Sequence, residues 1–171
     1  MLITMFGFEA LTTDTLGSRS VAIGLGALKT QNFTSATITG NTAVGDNAGY
    51  SVTTGTFNTL MGGLAGDALT TGASNTAVGY AALSSDDLGS RSVAIGNAAL
   101  FYQNYATATD SYNTAVGDRA GNNVTTGINN TLIGAGAGDA LTDADYNISV
   151  GGFALSADTL GSRATAIGFG A

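Results

Sequence analysis

The chain has 171 residues, a net charge of −7 and no Pro, Cys, His or Trp. Without Cys or His there is no thiol nucleophile, no disulfide framework, no imidazole acid–base chemistry and no zinc site of the usual kind, so we expect no cofactor and no enzymatic activity. The 5 basic residues against 12 acidic ones argue against nucleic acid as a partner. The apolar runs are too short to predict membrane insertion.

A five-residue unit that ends in glycine repeats along the chain, as in Asn75-Thr76-Ala77-Val78-Gly79. Most units follow one another at a 17-residue spacing, and two follow at a 21-residue spacing. The order of these spacings itself repeats, and we call the interval from Gly7 to Gly79, and from Gly79 to Gly151, the long period. An alanine stands three residues after each terminal glycine. The terminal glycines are Gly7, Gly24, Gly45, Gly62, Gly79, Gly96, Gly117, Gly134, Gly151 and Gly168. A short, strict period of this kind is typical of repeat architectures.

The residues of the unit favour a strand, because Thr, Val and Ile prefer strands and successive side chains alternate between two faces. Gly and Asn tolerate the backbone conformations that tight corners need. The sequence therefore predicts an all-β fold, a parallel β-solenoid (β-roll) of about ten coils stacked about 4.8 Å apart. Residues 1–171 form one solenoid segment, which we expect to be a piece of a longer array.

The centre of the repeated unit is usually alanine. If the neighbouring Val and Ile fill the interior of the coil, this central column points outward, and small apolar residues there favour close packing against another chain. We therefore predict a homotrimer. The interface candidates are Ala43, Leu60, Ala77, Ala94, Ala115, Leu132 and Ala166.

The two 21-residue units carry four extra residues, within residues 29–40 and 101–112, and these inserts combine aromatic and amide side chains. Such residues can stack on sugar rings and hydrogen-bond to hydroxyl groups, or they can pack the loop onto its own rod or seal a chain interface. The candidate ligand contacts are Gln31, Asn32, Phe33, Tyr102, Gln103, Asn104 and Tyr105.

Two further features have a functional and a structural interpretation. Asp46 and Asp118 follow repeat glycines, where carboxylates can bind calcium or remain solvated and cap N–H groups; the known calcium-binding glycine repeat is absent, so we assign no metal site. The threonine pairs can form an ice-binding array or simply end strands. These pairs are Thr53-Thr54, Thr70-Thr71 and Thr125-Thr126.

The segment Ser90-Arg91-Ser92-Val93-Ala94-Ile95-Gly96, with its near-copy at residues 18–24, resembles the head repeat of trimeric autotransporter adhesins. The Asn-Thr-Ala-Val-Gly copies resemble repeats in phage tail fibres and large bacterial surface proteins. The resemblance covers residues 3–171. It implies a left-handed, trimeric β-roll outside the cell, on a bacterial surface or a virion.

The implied function is that of a structural shaft or head in an adhesion or receptor-binding fibre. Two alternatives stay open at this point. The chain can be a glycan-binding module that uses the 21-residue inserts and recognises a host-surface glycan or receptor, or it can be an ice-binding solenoid.

Overall fold

The computed structural model describes residues 3–171, which form a parallel β-solenoid of ten coils. Each coil contributes one three-residue strand, and these strands form a single parallel sheet in chain order. The predicted all-β solenoid is confirmed. The three-residue strands are β1 (Thr4–Phe6), β3 (Val21–Ile23), β5 (Thr42–Val44), β6 (Thr59–Met61), β7 (Thr76–Val78), β9 (Val93–Ile95), β11 (Thr114–Val116), β12 (Thr131–Ile133), β13 (Ile148–Val150) and β14 (Thr165–Ile167).

The extra residues of the 21-residue coils leave the register of this sheet unchanged. Four two-residue strands, β2 (Gly17–Ser18), β4 (Thr37–Ile38), β8 (Gly89–Ser90) and β10 (Thr109–Asp110), form two small parallel sheets, β2 with β4 and β8 with β10, beside the inserts. In the main sheet each strand residue pairs with the same repeat position in the next coil, as Ala77 pairs with Leu60 and with Ala94. Stacking of equivalent positions accounts for the strict columns of the sequence.

The glycine that ends each strand has a backbone that only glycine accommodates. Gly79 has a φ of 136°, and a Cβ built there would lie 2.4 Å from the carbonyl oxygen of Gly96 in the next coil. Residues with a side chain rarely adopt such a φ, and the backbone of the next coil cannot move away to relieve so short a contact. The recurrence of glycine at this position in every coil is therefore a steric requirement of coil stacking.

The interior is packed by residues of complementary size. The alanine column three residues after the strand glycines is buried from Ala10 to Ala154, and so are the strand centres from Ala22 to Ala166. Leu60 is one of two leucines at a strand centre, and its methyl groups fill the space beside Gly49 and Gly66, where added Cβ atoms would lie 2.6 and 2.8 Å away. Leu132 fits against Gly121 and Gly138 in the same way, one long period further on.

An asparagine ladder joins many of the coils at the residue before the strand, where Asn41, Asn58, Asn75, Asn113, Asn130 and Asn147 stand. The side-chain oxygen of Asn58 accepts a hydrogen bond from the backbone N–H of Asn75, at 2.9 Å. Its Nδ2 donates to the carbonyl oxygen of Gly72 across the same coil, also at 2.9 Å. The amides of Asn41, Asn58, Asn75, Asn113 and Asn130 thus tie two walls of one coil together and link that coil to the next, which satisfies polar groups that burial would otherwise penalise.

Candidate interaction surface

The outer side of the ten-stranded sheet presents two parallel columns of side chains, which we call the sheet face. The first residues of the strands are Thr4, Val21, Thr42, Thr59, Thr76, Val93, Thr114, Thr131, Ile148 and Thr165, and the third residues are Phe6, Ile23, Val44, Met61, Val78, Ile95, Val116, Ile133, Val150 and Ile167. All of them are partly or fully exposed. None is charged, although the chain contains 5 Lys and Arg and 12 Asp and Glu residues.

The expectation that the alanine column faces outward is wrong. The seven interface candidates, Ala43, Leu60, Ala77, Ala94, Ala115, Leu132 and Ala166, all lie in the interior of a single chain. Six of them have no exposed surface, so another chain cannot reach them. The coil is narrow, and only small side chains, or a leucine opposite glycines, fit between its walls. Val and Ile are therefore displaced to the outer side.

Two further columns border the sheet face. The arginine edge lies two residues before each strand and contains Arg19, Gly40, Phe57, Ser74, Arg91, Tyr112, Asn129, Tyr146 and Arg163. The aspartate edge lies two residues after each strand and contains Phe8, Leu25, Asp46, Gly63, Tyr80, Asn97, Asp118, Ala135, Gly152 and Phe169. The charged residues nearest to the sheet face thus lie along its two borders.

The arginine edge is ordered by contacts within the chain. The Nε atom of Arg91 lies 3.0 Å from a carboxylate oxygen of Asp110, and its guanidinium lies 5.6 Å from the centre of the Tyr112 ring. The hydrogen bond to Asp110 is the main reason that the pKa of Arg91 is raised. Arg163 packs over Tyr146 in the same way, at 5.8 Å. Arg19 is exposed and has no carboxylate within 4.0 Å among residues 3–171.

The two calcium candidates lie on the aspartate edge, in separate coils. Asp118 accepts a hydrogen bond from Asn97 at 3.0 Å and lies 3.5 Å from the Nε atom of Arg119. Asp46 accepts only a long contact of 3.5 Å from Asn47. Within the described residues, no three His, Cys, Asp or Glu side chains come together as a group that could hold a metal ion. The geometry therefore offers Asp46 and Asp118 as exposed single charges.

The candidate ligand contacts in the inserts divide into two sets. Gln31, Phe33, Gln103 and Tyr105 are buried, so the prediction that they contact a ligand at the surface is wrong for these four. They turn inward because each insert must fill the wider coil that its extra residues create. Asn32, Tyr102 and Asn104 remain exposed.

The buried insert residues belong to a polar cluster inside the second 21-residue coil. Asp86 accepts hydrogen bonds from Gln103 at 2.7 Å and from the backbone N–H of Gly89 at 2.9 Å. Asn113 donates to Gln103 at 2.8 Å, and the Tyr105 hydroxyl donates to the carbonyl oxygen of Gly127, also at 2.8 Å. Burial raises the pKa of the Asp86 carboxyl and that of the Tyr105 hydroxyl. These buried hydrogen bonds connect the walls of the coil to each other and to the neighbouring coils.

In two of the threonine pairs, the first hydroxyl group is used within the rod. Thr53 donates its hydroxyl to the carbonyl oxygen of Thr70 at 3.2 Å, and Thr70 donates to that of Asp87 at 3.1 Å. The second member of each pair points to solvent. In contrast, the hydroxyl groups of Thr42, Thr59 and Thr76 on the sheet face make no hydrogen bond within the described part of the chain.

No family model, no curated protein and no solved structure matches this chain. Among residues 3–171, no helix has the length and apolar character needed to cross a membrane.

The sheet face is not evident from the repeated unit alone, because alternation within a strand defines two sides without saying which is inside. One signal in the sequence does distinguish them. Both leucines at a strand centre, Leu60 and Leu132, lie in coils in which glycine replaces leucine four residues after the strand glycine, and the coil before each of them has glycine there as well. Such compensation of size is expected only between side chains that share an interior.

Proposed function

We propose that this chain is a structural segment of an extracellular fibre in which three copies pack side by side through their sheet faces. The segment acts as a shaft or head that projects and positions a receptor-binding tip, on a bacterial surface or a virion. The observation that carries this proposal is the uncharged sheet face of the solenoid.

The size of the face suits a stable contact. Nine steps of about 4.8 Å make it about 43 Å long, and with its two edges it is roughly 15–20 Å wide. Its area is thus on the order of 600–900 Å², so three copies that bury their faces together cover about 1,800–2,700 Å² in all, which reaches the roughly 1,200–2,000 Å² that a standard specific interface buries. Along this surface, the third residues of the ten strands form a continuous column of exposed or half-buried Val, Ile, Met and Phe side chains, and a column of this kind marks an interaction site.

Three copies are favoured over other numbers by the resemblance of residues 90–96 to adhesin head repeats. A closed ring around the rod axis gives each copy two equivalent neighbours and leaves no sheet face exposed, because cyclic contacts join one edge of a copy to the opposite edge of the next. Exposed edges would otherwise favour uncontrolled aggregation of so apolar a surface.

Light scattering on the purified chain tests the assembly, with a trimer mass as the expected result. Val78→Lys places a charge in the middle of the sheet face and should weaken association by more than about a hundredfold, since an unpaired buried charge costs about 3–5 kcal/mol. The matched control is Thr71→Lys, an exposed position outside the face in the same turn of the rod. A folded, monomeric wild-type chain at micromolar concentration would refute the proposal.

A second candidate function uses the same face. The outward hydroxyl groups of Thr42, Thr59 and Thr76 lie in adjacent paired strands, beside a column of Val and Met side chains, which makes a regular and flat array. Ice binding by this array requires the face to be free in solution. Thermal hysteresis from a monomeric chain, lost in Thr59→Lys, would support it, whereas a trimer without hysteresis would exclude it.

A further inference from the structure

We propose that Arg19 and Arg91 of one copy form ion pairs with Asp46 and Asp118 of the neighbouring copy, and that these pairs fix the copies parallel and in axial register. The inference rests on the side-by-side assembly proposed above. It assigns a role to four exposed charges, two of which, Arg19 and Asp46, have few partners among residues 3–171.

The four residues repeat together. Arg19 and Arg91 are one long period apart, as are Asp46 and Asp118. Arg91 precedes β9 and Asp118 follows β11, and these two strands are direct neighbours in the sheet. Arg19 and Asp46 stand in the same relation across β3 and β5. Each arginine is therefore one coil away from its aspartate along the rod, on the opposite edge of the face.

The two members of a pair cannot meet within one copy, because the width of the sheet face, roughly 15–20 Å, lies between them. In a closed ring, however, the arginine edge of one copy adjoins the aspartate edge of the next. With all copies at the same height, only the offset of one coil, about 4.8 Å, remains along the rod axis. The long, flexible arginine side chain can cover this offset.

The charges are available for such contacts. Arg19 has no carboxylate within 4.0 Å among residues 3–171, and Asp46 has only its 3.5 Å contact with Asn47. Arg91 and Asp118 have partners in their own chain, yet each side chain is 53% exposed. Those internal contacts hold the charged groups in place at the edges while leaving them open to a neighbour.

The pattern discriminates against other arrangements. An antiparallel neighbour packed side by side would bring two arginine edges together and two aspartate edges together, which is repulsive. A slip by one coil in one direction would bring each arginine level with its aspartate, but in a closed ring the axial offsets of the three contacts must sum to zero. A favourable slip at one contact therefore forces an opposite slip elsewhere in the ring, which increases the axial distance between arginine and aspartate there.

Charge exchange at the Arg19–Asp46 pair provides the test, because this pair has the fewest contacts within the chain. Three variants are compared with the wild type by sedimentation equilibrium, namely Arg19→Asp, Asp46→Arg and the double exchange. Each single variant brings like charges together at all three contacts of the ring, and we expect the dissociation constant to rise by roughly tenfold or more at low salt. The double exchange restores opposite charges and should return it to within about threefold of the wild type, and high salt should reduce the differences.

The matched control for Asp46→Arg is Asp143→Arg, which makes the same change of net charge at an exposed position outside the face and its edges. It should leave the dissociation constant unchanged, and circular dichroism should show the same fold in every variant. If the wild type is a trimer and the single exchanges have no effect, or the double exchange is as weak as the single ones, the ion pairs are refuted while the assembly stands. If the wild type does not self-associate, it is the proposed assembly that fails.

Discussion

Truncation of Leu60 should be among the most destabilising single changes in the core. Its side chain is fully buried, and its two methyl groups occupy the space beside two backbone glycines in the neighbouring coils. Removing these groups leaves a cavity whose walls are backbone that cannot collapse inward. For Leu60→Ala we therefore expect a loss of about 3–5 kcal/mol in the free energy of unfolding, the upper part of the usual range for such changes.

Adding a methyl group at Gly49, which faces the Leu60 side chain, should also lower the free energy of unfolding. A Cβ at Gly49 would lie 2.6 Å from a methyl carbon of Leu60, and the φ of Gly49 is 61°. Overpacking costs about 1–3 kcal/mol, and the left-handed backbone adds about 1–2 kcal/mol for a residue with a side chain. In the double variant Gly49→Ala, Leu60→Ala the new methyl group enters the cavity. The combined loss should therefore be smaller than the sum of the two single losses by about 2 kcal/mol.

Urea unfolding followed by circular dichroism, at one fixed protein concentration, measures all three variants. Leu132→Ala serves as an internal replicate, because Leu132 packs against its own pair of glycines one long period further along. Its loss should equal that of Leu60→Ala within about 1 kcal/mol. Additive losses in the double variant, or a loss below about 1 kcal/mol for Leu60→Ala, would contradict this account of core packing.

Three further predictions concern glycine, pH and the polar cluster. Gly79→Ala should cost more than about 4 kcal/mol because of its 2.4 Å backbone contact, whereas Gly63→Ala, with an ordinary 3.5 Å contact, should cost less than about 1 kcal/mol in the same unfolding assay. Burial raises the pKa of Asp86 above 3.8 in the folded state, so the stability of the wild type relative to Asp86→Asn should be greatest below pH 3.8 and fall as the pH rises through the raised pKa. Thermal unfolding of both proteins from about pH 3 to 7 measures this, and a difference in stability that does not change with pH would contradict it. Tyr105→Phe should cost about 1 kcal/mol through the lost hydrogen bond, and Phe33→Tyr, at the equivalent position one long period earlier, should recover a similar bond in urea unfolding.

The sequence was sufficient to predict the solenoid because the repeat constrains every coil in the same way. The positions of the strand glycines follow from a single steric requirement, which Gly79 illustrates, and the asparagine ladder follows from stacking identical residues. Period, strand positions and number of coils were therefore all accessible without coordinates.

The sequence did not show in the same way which face of each strand points into the core. The sequence favours Val78 inside and Ala77 outside, since larger apolar residues usually contribute more to a core. In a coil this narrow, the distance between the walls decides instead, and only alanine fits opposite a second side chain. The burial of Gln103 is hidden in the sequence for a related reason. Its amide is satisfied by Asn113 across the same coil and by Asp86 in the preceding coil, and these contacts form only when the coil closes and stacks.

The long period has consequences both inside and outside the rod. Inside, it places leucine at a strand centre once in every four coils, at Leu60 and Leu132, each beside glycines of two coils that make room for it. Outside, the same period repeats the edge charges every four coils, since Arg91 follows Arg19 and Asp118 follows Asp46 at this interval. A core of stacked coils needs only agreement between adjacent coils, so it does not require charges on the outer edges to follow the same period. Surface charges that keep the period of the core are expected when copies of the same chain must align along their whole length, and the charge exchange at Arg19 and Asp46 tests this alignment directly.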